Sequence, residues 1–133
     1  MIKHKRLLLA PVLLLACGTA ANADAGSAET LYAEALECRL AAQSVLLASR
    51  KSEPQNEEEA DALAYVENTE SFYNKLSLFL GRKLGKRDPI IGLDYARLQL
   101  DLTQTILRSP DTMADMVTKT KACGEAYLEA EKA

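Results

Sequence analysis

The sequence predicts an all-α fold: a four-helix bundle with one disulfide joining the first and last helices. Apolar residues recur at three- and four-residue intervals through four successive segments, which is the spacing of one face of an α-helix. The sequence has no sustained two-residue alternation and none of the Asn-Gly or Asp-Gly turns that are typical of β-hairpins. Short connections predict antiparallel neighbours, in either a regular up-down arrangement or an irregular orthogonal one.

Residues 1–23 have the order of a secretory signal peptide. Basic residues precede an apolar run over 7–16, and small residues close the segment at 21–23 (Ala-Asn-Ala). This pattern predicts cleavage after Ala23 and a single helical domain over 24–133, located in the periplasm or secreted. That compartment permits disulfides.

A second processing route remains open at Cys17. Residues 14–17 (Leu-Leu-Ala-Cys) resemble a bacterial lipobox, in which Cys17 is lipidated and becomes the first residue of an envelope lipoprotein. Leucine directly before the small residue is a less favoured choice, so release without a lipid is preferred. Either route removes Cys17 from disulfide chemistry.

The first helix is predicted over about 27–51, with residues 24–28 as a flexible leader. Pro54 ends the helix, because the residue before a proline avoids the α region. Its apolar face has a four-three-four-three spacing. The members of this face are Leu31, Ala35, Cys38, Ala42 and Val45.

The second helix is predicted to begin after Asn56, a good N-cap residue with Glu59 in the capping-box position. Gly85 is placed to end it in the left-handed conformation. The apolar face between these points contains Leu63, Val66, Tyr73, Leu76 and Leu80.

A corner at Gly85, Asp88 and Pro89 is predicted to set the angle between the second and third helices. The Asp88 side chain is expected to cap the third helix by accepting from the N–H of Ile90 or Ile91, with Pro89 as the first helical residue.

The third helix, about 89–108, has two apolar stripes, and we expect it to be the most buried of the four. One stripe contains Ile91, Tyr95, Leu98, Leu102 and Ile106, and the other contains Leu93, Leu100 and Leu107.

The fourth helix is predicted to open at Ser109-Pro110-Asp111 and to carry Cys123 on its apolar face. Cys38 lies in the first half of the first helix, whereas Cys123 lies in the second half of the fourth. The two cysteines come level if these helices are antiparallel neighbours. We therefore predict a Cys38–Cys123 disulfide.

Three short motifs resemble a group of small exported alphaproteobacterial proteins. They are Phe79-Leu80-Gly81-Arg82, the run from Gly85 to Pro89, and Cys123-Gly124, with Cys38 as the early cysteine. The resemblance implies secretion, an all-helical fold and the cysteine pair. The group has no established biochemical role, so the resemblance implies no activity.

The residue inventory argues against catalysis, cofactors and metals. His4, inside the signal segment, is the only histidine, so the mature domain lacks the commonest general base and metal ligand. Triads that contain histidine, di-iron bundles and His-ligated haem are thereby excluded, and the absence of Cys-x-x-Cys argues against redox catalysis.

Three weaker site patterns have ordinary structural interpretations that we prefer. Met113 and Met116 have a spacing that Cu(I) could use but are typical core residues. The acidic cluster at 57–61 lacks a calcium-binding loop and suits a solvated helix start. The cations at 82–87 could bind an anion but also suit a helix C-terminus.

The net charge of the mature chain limits the classes of partner that it can bind. Removal of residues 1–23 takes away three of the 16 basic residues and none of the 19 acidic ones, leaving 13 against 19 and a net charge of −6. This charge argues against nucleic acid and anionic membranes. No later segment reaches the length of about 18 apolar residues that a transmembrane span requires.

The sequence predicts a non-catalytic exported binding or interaction protein whose partner is another exported protein, with a lipid-anchored envelope protein as the alternative.

Overall fold

The computed structural model describes residues 21–49 and 53–132, and their side chains from residue 27 onward. These residues form four helices and no strand: α1 (Ala21–Ser49), α2 (Glu57–Lys83), α3 (Asp88–Arg108) and α4 (Thr112–Lys132). The predicted all-α four-helix fold is confirmed. Cys17 and most of the predicted signal peptide lie outside the described residues.

The start of α1 differs from the prediction. The helix begins at Ala21, so the prediction of a flexible leader at 24–28 is wrong. The added turn is rich in alanine, the strongest helix former, and contains no proline. Gly26 alone is a weak helix residue there. Cleavage after Ala23 would shorten α1 by its first three residues.

The first two helices, α1 and α2, are antiparallel. Near the start of α1, Tyr32 lies against Gly81 at the end of α2. Further along α1, Nε of Arg39 lies 3.4 Å from Oε2 of Glu70, which comes earlier in α2 than Gly81. The two helices therefore run in opposite directions. The first two helices are also the most closely packed pair of the four.

The core lies between α1 and α2, with α3 and α4 packed at its sides. Small side chains in α1, including the fully buried Ala41 and Ala42, let neighbouring helices approach closely. The buried hydroxyls of Thr69 and Ser77 donate to carbonyls of their own helix, so neither lacks a partner. The clustered core residues are Tyr32, Ala35, Leu36, Cys38, Tyr73, Leu80, Ile91, Tyr95 and Cys123.

The predicted disulfide is confirmed. Cys38 of α1 and Cys123 of α4 are bonded, with their Cα atoms 5.8 Å apart. The bond joins the first helix to the last at mid-height, where both cysteines belong to the core cluster.

The turn after α2 is closed as predicted at Gly85, which has a φ of +82°. The N–H of Lys86 donates to the carbonyl of Gly81, and the N–H of Gly85 donates to that of Arg82, both over 2.9 Å. This pair of bonds is the Schellman motif, and its left-handed position suits glycine because other residues are strained there.

The prediction that Asp88 caps α3 is wrong. Arg87 occupies the N-cap position, Asp88 is already helical, and the Ile90 and Ile91 N–H groups donate to the Arg87 carbonyl. The Asp88 carboxylate instead accepts two hydrogen bonds from the Arg82 guanidinium, over 2.9 and 2.7 Å. A charged bidentate partner is stronger than a backbone N–H, so it determines the orientation of this side chain.

The prediction that α3 is the most buried helix is also wrong. Ile91 and Tyr95 are its only buried residues, whereas Leu93, Leu100 and Leu107 are 46%, 58% and 80% exposed. One apolar face of α3 packs against the bundle. The other faces away from it, because α1 and α2 already pack against each other and leave no second layer for α3 to enter.

Candidate interaction surface

Three exposed leucines lie in line along the outer face of α3. Leu93, Leu100 and Leu107 follow one another at seven-residue intervals, two helical turns apart. We call these three residues the α3 stripe. Ile90, 42% exposed, lies beside its N-terminal end. Continuous apolar patches of this kind mark interaction sites, whereas single exposed leucines do not.

The two sides of the stripe differ in chemistry. On one side lie Gly92, Ala96 and Thr103, which are small, uncharged and exposed. A methyl group added at Gly92 would meet no atom within 4 Å, so this side is open to a neighbour. On the other side lie the polar residues Arg97, Asp101, Gln104 and Arg108, all exposed.

The inner face of α3 is anchored by aromatic and polar contacts to α1. The Arg39 guanidinium lies 3.8 Å from the centre of the Tyr95 ring, and the Tyr95 hydroxyl donates to the Gln43 side chain. Burial raises the pKa of Tyr95 to about 12, so its hydroxyl stays a donor at neutral pH.

A second anchor lies one residue earlier, at Asp94. Its carboxylate accepts from the Tyr32 hydroxyl over 2.7 Å and pairs with Lys86 at 3.3 Å. The hydrogen bond from Tyr32 is the main cause that lowers the pKa of Asp94, and Lys86 acts in the same direction. The first half of α3, which carries Leu93, is therefore held against α1 by both anchors.

A smaller surface lies on the outer side of α2 around Phe79, which is 57% exposed. A shallow groove of about 400 Å³ surrounds it, and the Lys83 ammonium lies 5.6 Å from the ring centre. The groove is lined by Lys75, Leu78, Phe79, Arg82 and Lys83. It belongs to one helix and lacks the depth of a pocket that encloses a small molecule.

The structure uses several of the predicted site residues for folding. Cys38 and Cys123 are joined, and Gly85 and Asp88 close the corner before α3. Two of the corner cations, Arg82 and Lys86, are held in ion pairs with Asp88 and Asp94. This arrangement matches the interpretation of these cations as part of a helix end.

Within the described residues, no group of three or more His, Cys, Asp or Glu side chains is placed to hold a metal ion. No described helix is long and apolar enough to cross a membrane.

The α3 stripe itself was visible in the sequence as a second apolar face, but its periodicity predicts burial as readily as exposure. The long-range polar contacts of α3 had no sequence signal. Tyr32 and Asp94 are 62 residues apart, and Tyr95 and Gln43 are 52 apart. No spacing rule connects positions so distant.

Comparison with protein-family models, curated proteins and solved structures finds no match to this chain. The resemblance to small exported alphaproteobacterial proteins therefore stays a prediction, and the interpretation of the surface depends on its own geometry.

Proposed function

We propose that this protein is a non-catalytic binding or interaction protein that acts outside the cytoplasm and binds its partner through the α3 stripe. The exposure of Leu93, Leu100 and Leu107 in line on a helix whose first half is anchored to the bundle is the observation that supports this function. A bundle that only had to fold would place polar residues at these positions, since exposed apolar patches favour aggregation.

The absence of catalysis is supported by the residues that remain after export. The mature domain has no histidine. Burial raises the pKa values of the Tyr32 and Tyr73 hydroxyls, so both stay protonated at neutral pH and are not available as general bases.

Export is supported by two independent features. The order of residues 1–23 is that of a signal peptide, and the Cys38–Cys123 disulfide is consistent with an extracytoplasmic location. In this proposal the mature chain begins at Asp24. The alternative is an envelope protein anchored by lipid on Cys17.

Binding through the stripe is tested by capture from a periplasmic extract with the tagged mature protein as bait. Leu100→Glu places a charge in the middle of the stripe, and Leu47→Glu is the matched control, because Leu47 is 53% exposed on α1. We expect at least one exported protein, or an untagged copy of the chain itself, to be retained by wild type and Leu47→Glu but lost with Leu100→Glu. Equal retention by all three baits would refute the proposed surface.

The processing route is tested separately by mass spectrometry of the mature N-terminus. We expect a peptide that begins at or near Asp24. A diacylated N-terminal Cys17 would establish the lipid-anchored alternative instead, as would detergent-phase partitioning that disappears in Cys17→Ala while export persists.

A further inference from the structure

We propose that the α3 stripe binds α3 of a second copy of this chain, in antiparallel orientation about a two-fold axis at Leu100. The inference rests on the proposed function, because it assigns a partner to the same surface. Four properties of the outer face of α3 support it: the spacing of its apolar residues, their symmetry, the charges on one side and the small residues on the other.

The spacing is that of a helix that pairs with another helix. Leu93, Leu100 and Leu107 occupy one position of a seven-residue repeat, and Ala96 and Thr103 occupy the position three residues later. A helix packed only against its own bundle needs one apolar face, and α3 already has one in Ile91 and Tyr95. The outer repeat is additional to what the fold requires.

The symmetry of the stripe suits an identical partner. Leu93 and Leu107 lie at equal distances from Leu100, so an antiparallel copy places Leu93 against Leu107 and Leu100 against itself. Self-complementary contacts of this kind are the property of a two-fold dimer interface.

The charges favour the antiparallel orientation. In that arrangement the polar side of one helix meets the polar side of the other. Arg97 then faces Gln104 of the second copy and lies about 3 Å along the axis from its Asp101. Two equivalent Arg97–Asp101 pairs result. Neither residue takes part in an ion pair within the described residues, and the charge of Arg97 acts there only at longer range, by helping to lower the pKa of Asp94. A parallel pair would place Arg97 against the small residues instead.

The small residues allow the two helices to approach closely. Gly92, Ala96 and Thr103 lie along the side that meets its own equivalent in the dimer, and they add little bulk between the helix axes. Interaxial distances at the short end of the usual 8–10 Å range need such residues at the contact.

The contact area is that of a modest dimer. Ile90 and the three leucines together expose on the order of 400 Å² of apolar surface, about half of the 800 Å² that each partner contributes to a standard interface. The polar side of α3 supplies more of the contact. We therefore expect a reversible dimer with a dissociation constant in the micromolar range.

Sedimentation equilibrium tests the dimer. The purified mature protein is expected to pass from monomer to dimer between micromolar and millimolar concentration. Leu100→Glu brings two carboxylates together on the two-fold axis and is expected to weaken the dimer about 100-fold or more. Leu47→Glu is expected to leave it unchanged. Far-ultraviolet circular dichroism checks that each variant is folded.

Charge exchange tests the pairing of Arg97 with Asp101. Arg97→Glu and Asp101→Arg are each expected to weaken the dimer about tenfold, because each places like charges together. The variant with both changes restores opposite charges and is expected to recover most of the affinity. If the losses of dimer affinity caused by the two single changes add in the double variant, the pairing of Arg97 with Asp101 is overturned.

Cysteine cross-linking tests the orientation. Leu100→Cys is expected to form an intermolecular disulfide with itself under mild oxidation. Leu107→Cys alone is not, because its two copies would lie about 20 Å apart in an antiparallel pair. A mixture of Leu93→Cys and Leu107→Cys proteins is expected to cross-link. Efficient cross-linking of Leu107→Cys with itself would overturn the antiparallel arrangement.

The dimer and the wider function fail in different ways. A wild-type protein that stays monomeric at millimolar concentration would overturn the self-association. Suppose that the wild-type protein is monomeric but the capture experiment retains a different exported protein, and that Leu100→Glu abolishes this retention. The proposed function then stands, with that protein as the partner. If nothing depends on Leu100 in either experiment, both proposals fall.

Discussion

The hydroxyl of Tyr73 donates a hydrogen bond to the main-chain carbonyl of Cys123 over 2.8 Å. The same Cys123 is bonded through its sulfur to Cys38, so α1, α2 and α4 all meet at one residue. The hydrogen bond lies in the core, where Tyr73 is 5% exposed. The disulfide and the hydrogen bond therefore link α1, α2 and α4 at this point, and α3 takes part in neither bond.

Replacing Tyr73 by phenylalanine tests the contribution of this hydrogen bond. Tyr73→Phe keeps the packed ring but removes the donor to Cys123, and we expect the free energy of unfolding to fall by about 1 kcal/mol. Tyr127→Phe is the control, because the Tyr127 hydroxyl bonds an exposed Glu131 in its own helix over 3.2 Å. Urea denaturation of both variants measures the difference. Equal stability of the two would show that the buried bond contributes nothing net.

Removal of the disulfide is expected to be the most destabilising change in the bundle. The bond closes a loop of 85 residue steps, for which chain entropy gives a stabilisation of about 4–5 kcal/mol as an upper value. A Cys38→Ala and Cys123→Ala double variant is compared with wild type by urea denaturation, without reductant. Two thiols titrated in the purified, unfolded, non-reduced mature wild type would contradict the bond, and a loss below about 1 kcal/mol would contradict its contribution.

Two glycines are expected to respond in opposite directions to the same substitution. A Cβ at Gly81 would lie 2.5 Å from Cδ1 of the buried Ile91 and 3.0 Å from the Tyr32 ring, whereas a Cβ at Gly92 meets nothing within 4 Å. Gly81→Ala is expected to destabilise the protein by about 1–3 kcal/mol through overpacking. Gly92→Ala is expected to stabilise it by up to about 1 kcal/mol through helix propensity.

Thermal unfolding of both glycine variants checks this prediction. A Gly81→Ala variant that melts at or above the wild-type temperature would show that Ile91 moves aside at no cost. A destabilised Gly92→Ala variant would show that the outer side of α3 is more crowded than the structure has it.

Stability is expected to fall at alkaline pH. Burial raises the pKa of Tyr95 from its ordinary value of 10.0 to about 12, and it raises the pKa values of Tyr32 and Tyr73 further. Because the folded pKa values lie above the unfolded ones, this contribution is fully present below pH 10. It is lost as the pH rises from 10 through the folded values.

Ultraviolet absorbance of tyrosinate measures this alkaline transition, since the protein contains no tryptophan. We expect tyrosine ionisation in the native protein to be delayed relative to protein in urea, and to coincide with loss of helical circular dichroism. Tyrosines that ionise near pH 10 in a fully helical protein would contradict the burial of these rings.

The elements of this protein could be predicted from the sequence because their signals are local. The spacing of apolar residues, the Asn56 cap, the Gly85 turn and the prolines all act within a few residues of themselves. Asn56 does accept from the Glu59 N–H over 2.8 Å, and Gly85 does have a positive φ. The disulfide followed from similarly simple arguments, since two cysteines remain after export and both lie on apolar faces.

The tertiary structure alone decided how the polar residues pair and which face of α3 is buried. The Asp88 carboxylate binds the guanidinium of Arg82 on the preceding helix, and only the folded corner brings these two side chains together. The two apolar faces of α3 have similar spacing, so periodicity does not rank them. The close packing of α1 against α2 leaves room for one face of α3. The physical reason is that burial depends on which neighbours occupy the space around a helix, and this space is set by residues far away in the sequence.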